Sequence, residues 1–293
     1  MELSWFMKLR IAAVAAVGVV LVGILAESMA VSSGPNGDIS FGGAAVLVML
    51  AFMAGIIGYF VSWPYGRQIG ILAAPFGLSV WAIRADSMAS LMQFRPAVAQ
   101  RQELLAQMRW EPIFWLIVVA AGFAGVLLAQ KIQQCPELKH TQKKSNPKLT
   151  GYINGIIALV GSALIAHFCI RILAQDVEIM DSRFGSIMAQ PPAGQIAFAV
   201  LVSFGVAAFV VKKFLDADYL WPILSSFLVG AFAASMYARQ DILQYFVQTW
   251  PAAFFSNSVV CVLPVQMVAF GTLGSVAGYW MAIRYDYWRK HET

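Results

Sequence analysis

Charge is what this chain has least of. Only 12% of its 293 residues are Asp, Glu, Lys or Arg, while 60% are hydrophobic. Soluble domains carry about a quarter charged residues, so a water-facing globule is excluded. Cysteine and histidine are equally sparse, with three of each. Cys135, Cys169 and Cys261 share no motif spacing, so neither a disulfide framework nor a zinc site is expected. His140, His167 and His291 are scattered, and only His167 falls within an apolar run, so a haem held between two histidines of this chain is not expected. The chain has no phosphate loop, dinucleotide fingerprint or nucleophile elbow. With no acid–base or metal constellation legible, it reads as a non-enzyme without cofactor or metal. Apolar and polar residues do not alternate strictly, which argues against a transmembrane β-barrel.

What the chain does have is long apolar runs, near the roughly 20 residues a helix needs to cross a bilayer. Eight are read: 11–30, 42–61, 68–84 and beyond, 112–130, 151–173, 195–211, 219–239 and beyond, and 264–283. Without water to satisfy backbone groups, each is expected as a helix. Lys8 and Arg10 precede the first run, and Ser28, Met29 and Ala30 resemble a signal-peptidase site. The run has a counterpart later in the chain, so it is read as a retained first helix.

Threading eight spans puts both termini on one side of the bilayer. Thirteen of the 20 Lys and Arg, including every lysine, fall on that side. The expectation is a cell (inner) membrane protein with both termini cytoplasmic. The net charge of +5 then reflects topology, and no nucleic acid is expected as a partner. The Lys-rich loop 133–148 reads as a solvated connector near lipid headgroups.

The chain also repeats itself. RADSMASLMQFRPA begins at Arg84 and RQDILQYFVQTWPA at Arg239, with five identities over 14 positions at an offset of 155. AVLV at Ala45 returns at Ala199, ILA at Ile24 returns at Ile172, and Pro112 and Pro264 open the fourth and eighth runs. The constant order predicts a duplication. Residues 1–132 form a first four-helix repeat, 133–150 a basic cytoplasmic linker, and 151–293 a second repeat. An even number of helices returns the chain to its starting side, so the repeats are parallel, about a pseudo-two-fold axis along the membrane normal.

Arg84, Asp86, Arg239 and Asp241 are read as lying on long helices near the outer boundary. There a charge costs a few kcal/mol unless it snorkels or pairs. Residues two apart on a helix point about 200° apart, so pairing is expected between repeats, Arg84 with Asp241 and Arg239 with Asp86. Glu27 is a further candidate partner. His167 and Arg171, four apart, form a second polar pair specific to the second half. Together these residues are the possible charge cluster or ligand-binding site. Ala121 with Gly125, and Gly274 with Gly278, are small residues four apart, expected to let helices approach closely.

After the third run of each repeat the two sequences diverge. RPAVAQRQELLAQMRWEP, from Arg95, reads as an amphipathic helix at the aqueous interface. Its counterpart, from Trp250 to Pro264, is apolar and is expected to be buried, against a partner or within the outer leaflet. The expected function is a non-catalytic polytopic subunit or scaffold of a membrane protein complex. Its partners are the lipid bilayer and other membrane subunits docking on 250–264. The alternative is a transporter or channel whose polar site is built from the repeated Arg-x-Asp.

Overall fold

The computed structural model describes residues 5–30, 40–133, 149–250 and 253–291. The expected linker, with Cys135 and His140, lies largely outside them, as do Pro251 and Ala252. Among the described residues six helices are long and apolar enough to cross a membrane: Trp5–Met29, Phe41–Val61, Val98–Ile132, Ile153–Leu173, Ala193–Leu215 and Leu220–Tyr237. The chain is an all-α, multi-pass membrane protein, interrupted among the described residues by one short hairpin. It divides into two compact units, 1–81 with 116–152, and 82–115 with 153–293.

The first unit opens with α1 (Trp5–Gly18), which widens into a π turn (Val19–Leu25) and resumes as α2 (Ala26–Ala30). Then come α3 (Phe41–Val61), α4 (Gly66–Gly70), α5 (Ala73–Arg84, whose last residues belong to the second unit) and most of α8 (Glu111–Ile132). The third apolar run, expected as a continuous span, is broken between α4 and α5. Pro75 has no N–H to offer the Ile71 carbonyl and its ring crowds that carbonyl, so the chain turns at Ile71 and Leu72 and restarts.

Packing here depends on missing side chains. A Cβ at Gly18 would lie 1.9 Å from the Ala73 carbonyl oxygen, and one at Gly77 would lie 2.4 Å from that of Gly18, so α1 and α5 touch backbone to backbone. In the same way α3 meets α8 at Gly55 against Gly122 and Gly125 against Phe52. Lipid tails are as apolar as leucine, so it is close van der Waals contact of this kind that holds membrane helices together.

The second unit holds α6 (Met88–Gln93), α7 (Val98–Met108), α9 (Leu149–Leu173), the strands β1 (Glu178–Asp181) and β2 (Gly185–Met188), α10 (Ala193–Leu215), α11 (Leu220–Tyr237), α12 (Gln240–Thr249) and α13 (Pro264–His291). At its centre α10 packs along α13. A Cβ at Gly274 would fall 2.2 Å from the Leu201 carbonyl oxygen, and one at Gly278 2.0 Å from that of Gly205. The first half of α13 is buried throughout. That helix is the expected eighth span, and it is missing from the six apolar ones for a physical reason. Screened by its own chain, it can carry Gln266, Thr272 and Ser275 in place of aliphatic side chains.

The amphipathic α7 turns Arg101, Leu105 and Met108 inward and Gln102, Glu103 and Gln107 outward, a spacing of four and three that marks one helical face. Its apolar side packs on α11 and α12. The 250–264 segment, expected to be buried against a partner or in lipid, finds its cover within the chain. Phe255, Val259, Val260, Cys261, Val262 and Leu263 are all buried within the chain, so the reason for placing a partner there falls away. Near its start the segment is tied to the hairpin: Met188 and Phe255 exchange both backbone hydrogen bonds at 2.9 Å.

Candidate functional site

The most connected polar site is on the hairpin, at residues that the reading of charges passed over. Asp181 pairs with Gly185 across a three-residue loop. Gly185 adopts φ 76°, the left-handed conformation such loops require. The first carboxylate oxygen of Asp181 accepts the backbone N–H groups of Arg183 at 2.8 Å and Phe184 at 2.9 Å, an Asx turn. Its second oxygen accepts the Tyr245 hydroxyl at 2.8 Å and the Trp250 indole N–H at 2.9 Å.

Burial works against the charge on Asp181, but four donors outweigh it, Trp250 and the Phe184 amide first, then Tyr245 and the Arg183 amide. The carboxyl is drawn down to about 2. With both oxygens doubly occupied, this carboxylate anchors the hairpin to α12 and has little capacity left to take a proton from a substrate.

Beside it lies half of the repeated signature. Arg183 Nη2 and Arg239 Nη2 both reach Asp241 Oδ2, at 3.2 and 3.3 Å. Arg183 also donates to the Asp241 carbonyl at 3.2 Å and lies over the rings of Tyr245 and Phe184 at 5.2 and 5.6 Å. The cluster is exposed, with two guanidiniums on one carboxylate.

The expected pairing is corrected in two respects. The helices do not run through the signature: α5 ends at Arg84, α11 ends at Tyr237, and Arg239 is an extended cap of α12 (φ −61°, ψ 131°). Arg239 lies outside the helical spiral that begins at Gln240, so the 200° divergence of helix-interior residues does not apply and its guanidinium reaches Asp241 directly. Among the described residues the ion-pair partners of Asp241 are then Arg183 and Arg239, in place of Arg84. Arg84 and Asp86 stay exposed at the α5–α6 junction, where Ser87 caps α6 by accepting the Ser90 N–H at 3.1 Å.

The other candidates sit within their own units. Glu27 is half-buried in α2 of the first unit. On α9, His167 packs edge-on against Phe232 of α11, 5.9 Å between ring centres, while Arg171 is exposed. His167 Nδ1 is buried with no hydrogen-bond partner among the described residues. Ala121 is half-buried, and its neighbour Gly122 makes the close approach to α3. No group of three or more His, Cys, Asp or Glu among the described residues is placed to hold a metal ion.

Two glutamines join separate segments of the second unit. Gln190 accepts the Ala89 N–H at 3.1 Å and donates to the Cys261 carbonyl at 3.3 Å. Gln266 accepts the Leu263 N–H and donates to the Ala82 carbonyl, both at 3.1 Å. One sign of this region was readable: DSRFG between EIM and SIM is a three-residue turn with glycine, flanked by strand-like residues.

Compared with known proteins, the chain matches no family model, no curated protein and no solved structure.

Proposed function

We propose that the chain is a non-catalytic, multi-pass subunit or scaffold of a membrane protein complex. The observation behind this reading is the saturation of Asp181: the most strongly perturbed described acid outside the apolar helices is spent on joining a hairpin to a helix. The result is a rigid cap that presents Met180, 85% exposed, beside the Arg183–Asp241–Arg239 cluster. The partner surface is assigned to that cap. Purification in mild detergent with mass spectrometry of the co-purifying chains tests it. A stoichiometric partner lost on Arg183→Glu is the expected result. A chain that purifies alone and intact from its native membrane sinks the reading.

The proposal includes eight spans and two parallel repeats in the cell membrane, with cytoplasmic termini. Support comes from element order. In each half the Arg-x-Asp signature falls at the junction between one helix (α5, α11) and a short one (α6, α12), and a long helix (α8, α13) closes the half. Tags at the two termini that both resist external protease in whole cells fit this topology. Digestion of either one overturns it.

One observation favours the transporter or channel alternative: two arginines share a single exposed carboxylate, so their guanidiniums keep donors able to hold an anion. Anion uptake by proteoliposomes that is lost in Arg239→Gln, with folding intact, replaces the scaffold reading.

A further inference from the structure

Along the α10–α13 seam the glycines that let the helices touch also leave a trough. Gly205 and Gly274 form its floor. Leu201, Val206 and Phe209 wall it on the α10 side, Ala277 and Met281 on the α13 side, enclosing about 210 Å³ with no polar atom exposed on the wall. Leu201, Val206 and Met281 are each more than a third exposed, so the trough opens on the surface of its unit. A Cβ at Gly205 would meet its nearest neighbour at an unstrained 3.5 Å, so glycine there leaves real space.

One end of the trough is charged. Phe209, the last residue of its α10 wall, packs edge-on against Tyr285, 6.0 Å between ring centres. The Lys213 ammonium lies 4.2 Å from the centre of the Tyr285 ring and 5.9 Å from those of Phe209 and Phe214. Among the described residues Lys213 has no carboxylate partner, whereas its neighbour Lys212 is tied to Asp216. Arg284 lies over Trp288 at 4.9 Å, and its Nε is buried without a hydrogen-bond partner among the described residues. Aromatic rings with Lys and Arg are the side chains that settle at the headgroup level of a bilayer. Here they follow the trough's last wall residues, Phe209 and Met281, along α10 and α13, and among the described residues neither Lys213 nor Arg284 has an ion-pair partner.

We propose that this seam is a binding site for one anionic phospholipid, with an acyl chain in the trough and the headgroup phosphate between Lys213 and Arg284. The trough gives length and shape, and the unpaired cations give a preference for negative charge. The inference is independent of the scaffold reading, since a transporter with the same seam binds the same lipid.

Native mass spectrometry of the full chain in mild detergent, with added phosphatidylglycerol or phosphatidylcholine of identical acyl chains, tests it. The expected result is preferential retention of one phosphatidylglycerol. Lys213→Gln weakens that retention about fivefold, the effect of one cation near an anionic headgroup, and leaves phosphatidylcholine unchanged. Ala277→Leu, which fills the trough, weakens both. If Ala277→Leu does not fold, Lys213→Gln still decides, because its side chain is partly in solvent. Equal retention of the two lipids, no effect of Lys213→Gln, or a second copy of the chain in place of lipid overturns the proposal.

Discussion

Trp81 donates its indole N–H to the carbonyl oxygen of Val22 at 2.7 Å, across 59 residues of sequence. Val22 is fully buried inside the π turn, where the amide ladder is wider than in an α-helix. The bond fastens α5 to the one irregular stretch of the first helix. Trp81→Phe keeps an aromatic ring and removes the donor. It is expected to lower stability by about 1 kcal/mol, read as a drop in Tm in detergent. An unchanged Tm means that the carbonyl finds another donor and the bond is dispensable.

Asp181 predicts a pH dependence. Its folded value, about 2, lies below the ordinary value of about 3.9. A depressed carboxyl stabilises the fold fully above its unfolded value, and the contribution fades as pH falls toward the folded one. The wild-type Tm should therefore decline between about pH 4 and pH 2 more steeply than that of Asp181→Asn, which should already be lower at pH 7. Parallel curves for the two proteins count against the assigned role.

Substituting Gly278 separates tight contact from ordinary helix propensity. A Cβ there falls 2.0 Å from the Gly205 carbonyl oxygen, whereas one at Gly161 on α9 meets nothing within 4 Å. Gly278→Ala is expected to cost about 1–3 kcal/mol through forced separation of α10 and α13. Gly161→Ala is expected to gain up to about 1 kcal/mol, because alanine is the better helix former. Chemical unfolding of both variants is the measurement, and equal effects of either sign would falsify the backbone-contact account.

The Arg183–Asp241 pair is 43% and 47% exposed at its side chains, so its coupling should be small, about 0.2–1 kcal/mol. A double-mutant cycle to alanine should return that range for Arg183–Asp241 and nothing above error for Arg84–Asp241. A larger coupling for the second pair restores the cross-repeat pairing expected from sequence.

Thiol chemistry checks the closure of the 250–264 segment. Cys261 is fully buried, and burial, with Asp176 adding, pushes its thiol well above the ordinary value. In the intact membrane it should resist a membrane-impermeant maleimide, while Gln100→Cys on the exposed face of α7 labels quickly. Comparable rates at the two positions mean that the segment opens.

Apolar runs locate helices well because length and hydrophobicity act over some twenty residues and survive local detail. Local detail is what such runs do not carry. Pro75 breaks the third run, although the residues on either side of it are as apolar as a span requires. Arg239 is the cap of a helix and not its interior, which turns a 200° divergence into a direct contact with Asp241. The spacing of Gly274 and Gly278 is visible in the sequence, while the carbonyls they meet, Leu201 and Gly205, are not, because helix register is a tertiary property. The Asp181 site was hidden for a related reason. Its donors Tyr245 and Trp250 are aromatic residues in an apolar stretch, and nothing local marks them as hydrogen-bond partners.

That separation also sets an order of events during synthesis. Trp250 emerges from the ribosome 69 residues after Asp181, roughly 3–14 s later at ordinary elongation rates. A two-stranded hairpin alone is marginal in water, and until then it has only its own turn amides to hold it. Both α10 and α11 enter the bilayer in that interval, with the acid still solvated. The hairpin is secured only when Trp250 arrives, so a chain truncated before α12 should leave Asp181 with its two turn amides alone and less acidic than in the full fold.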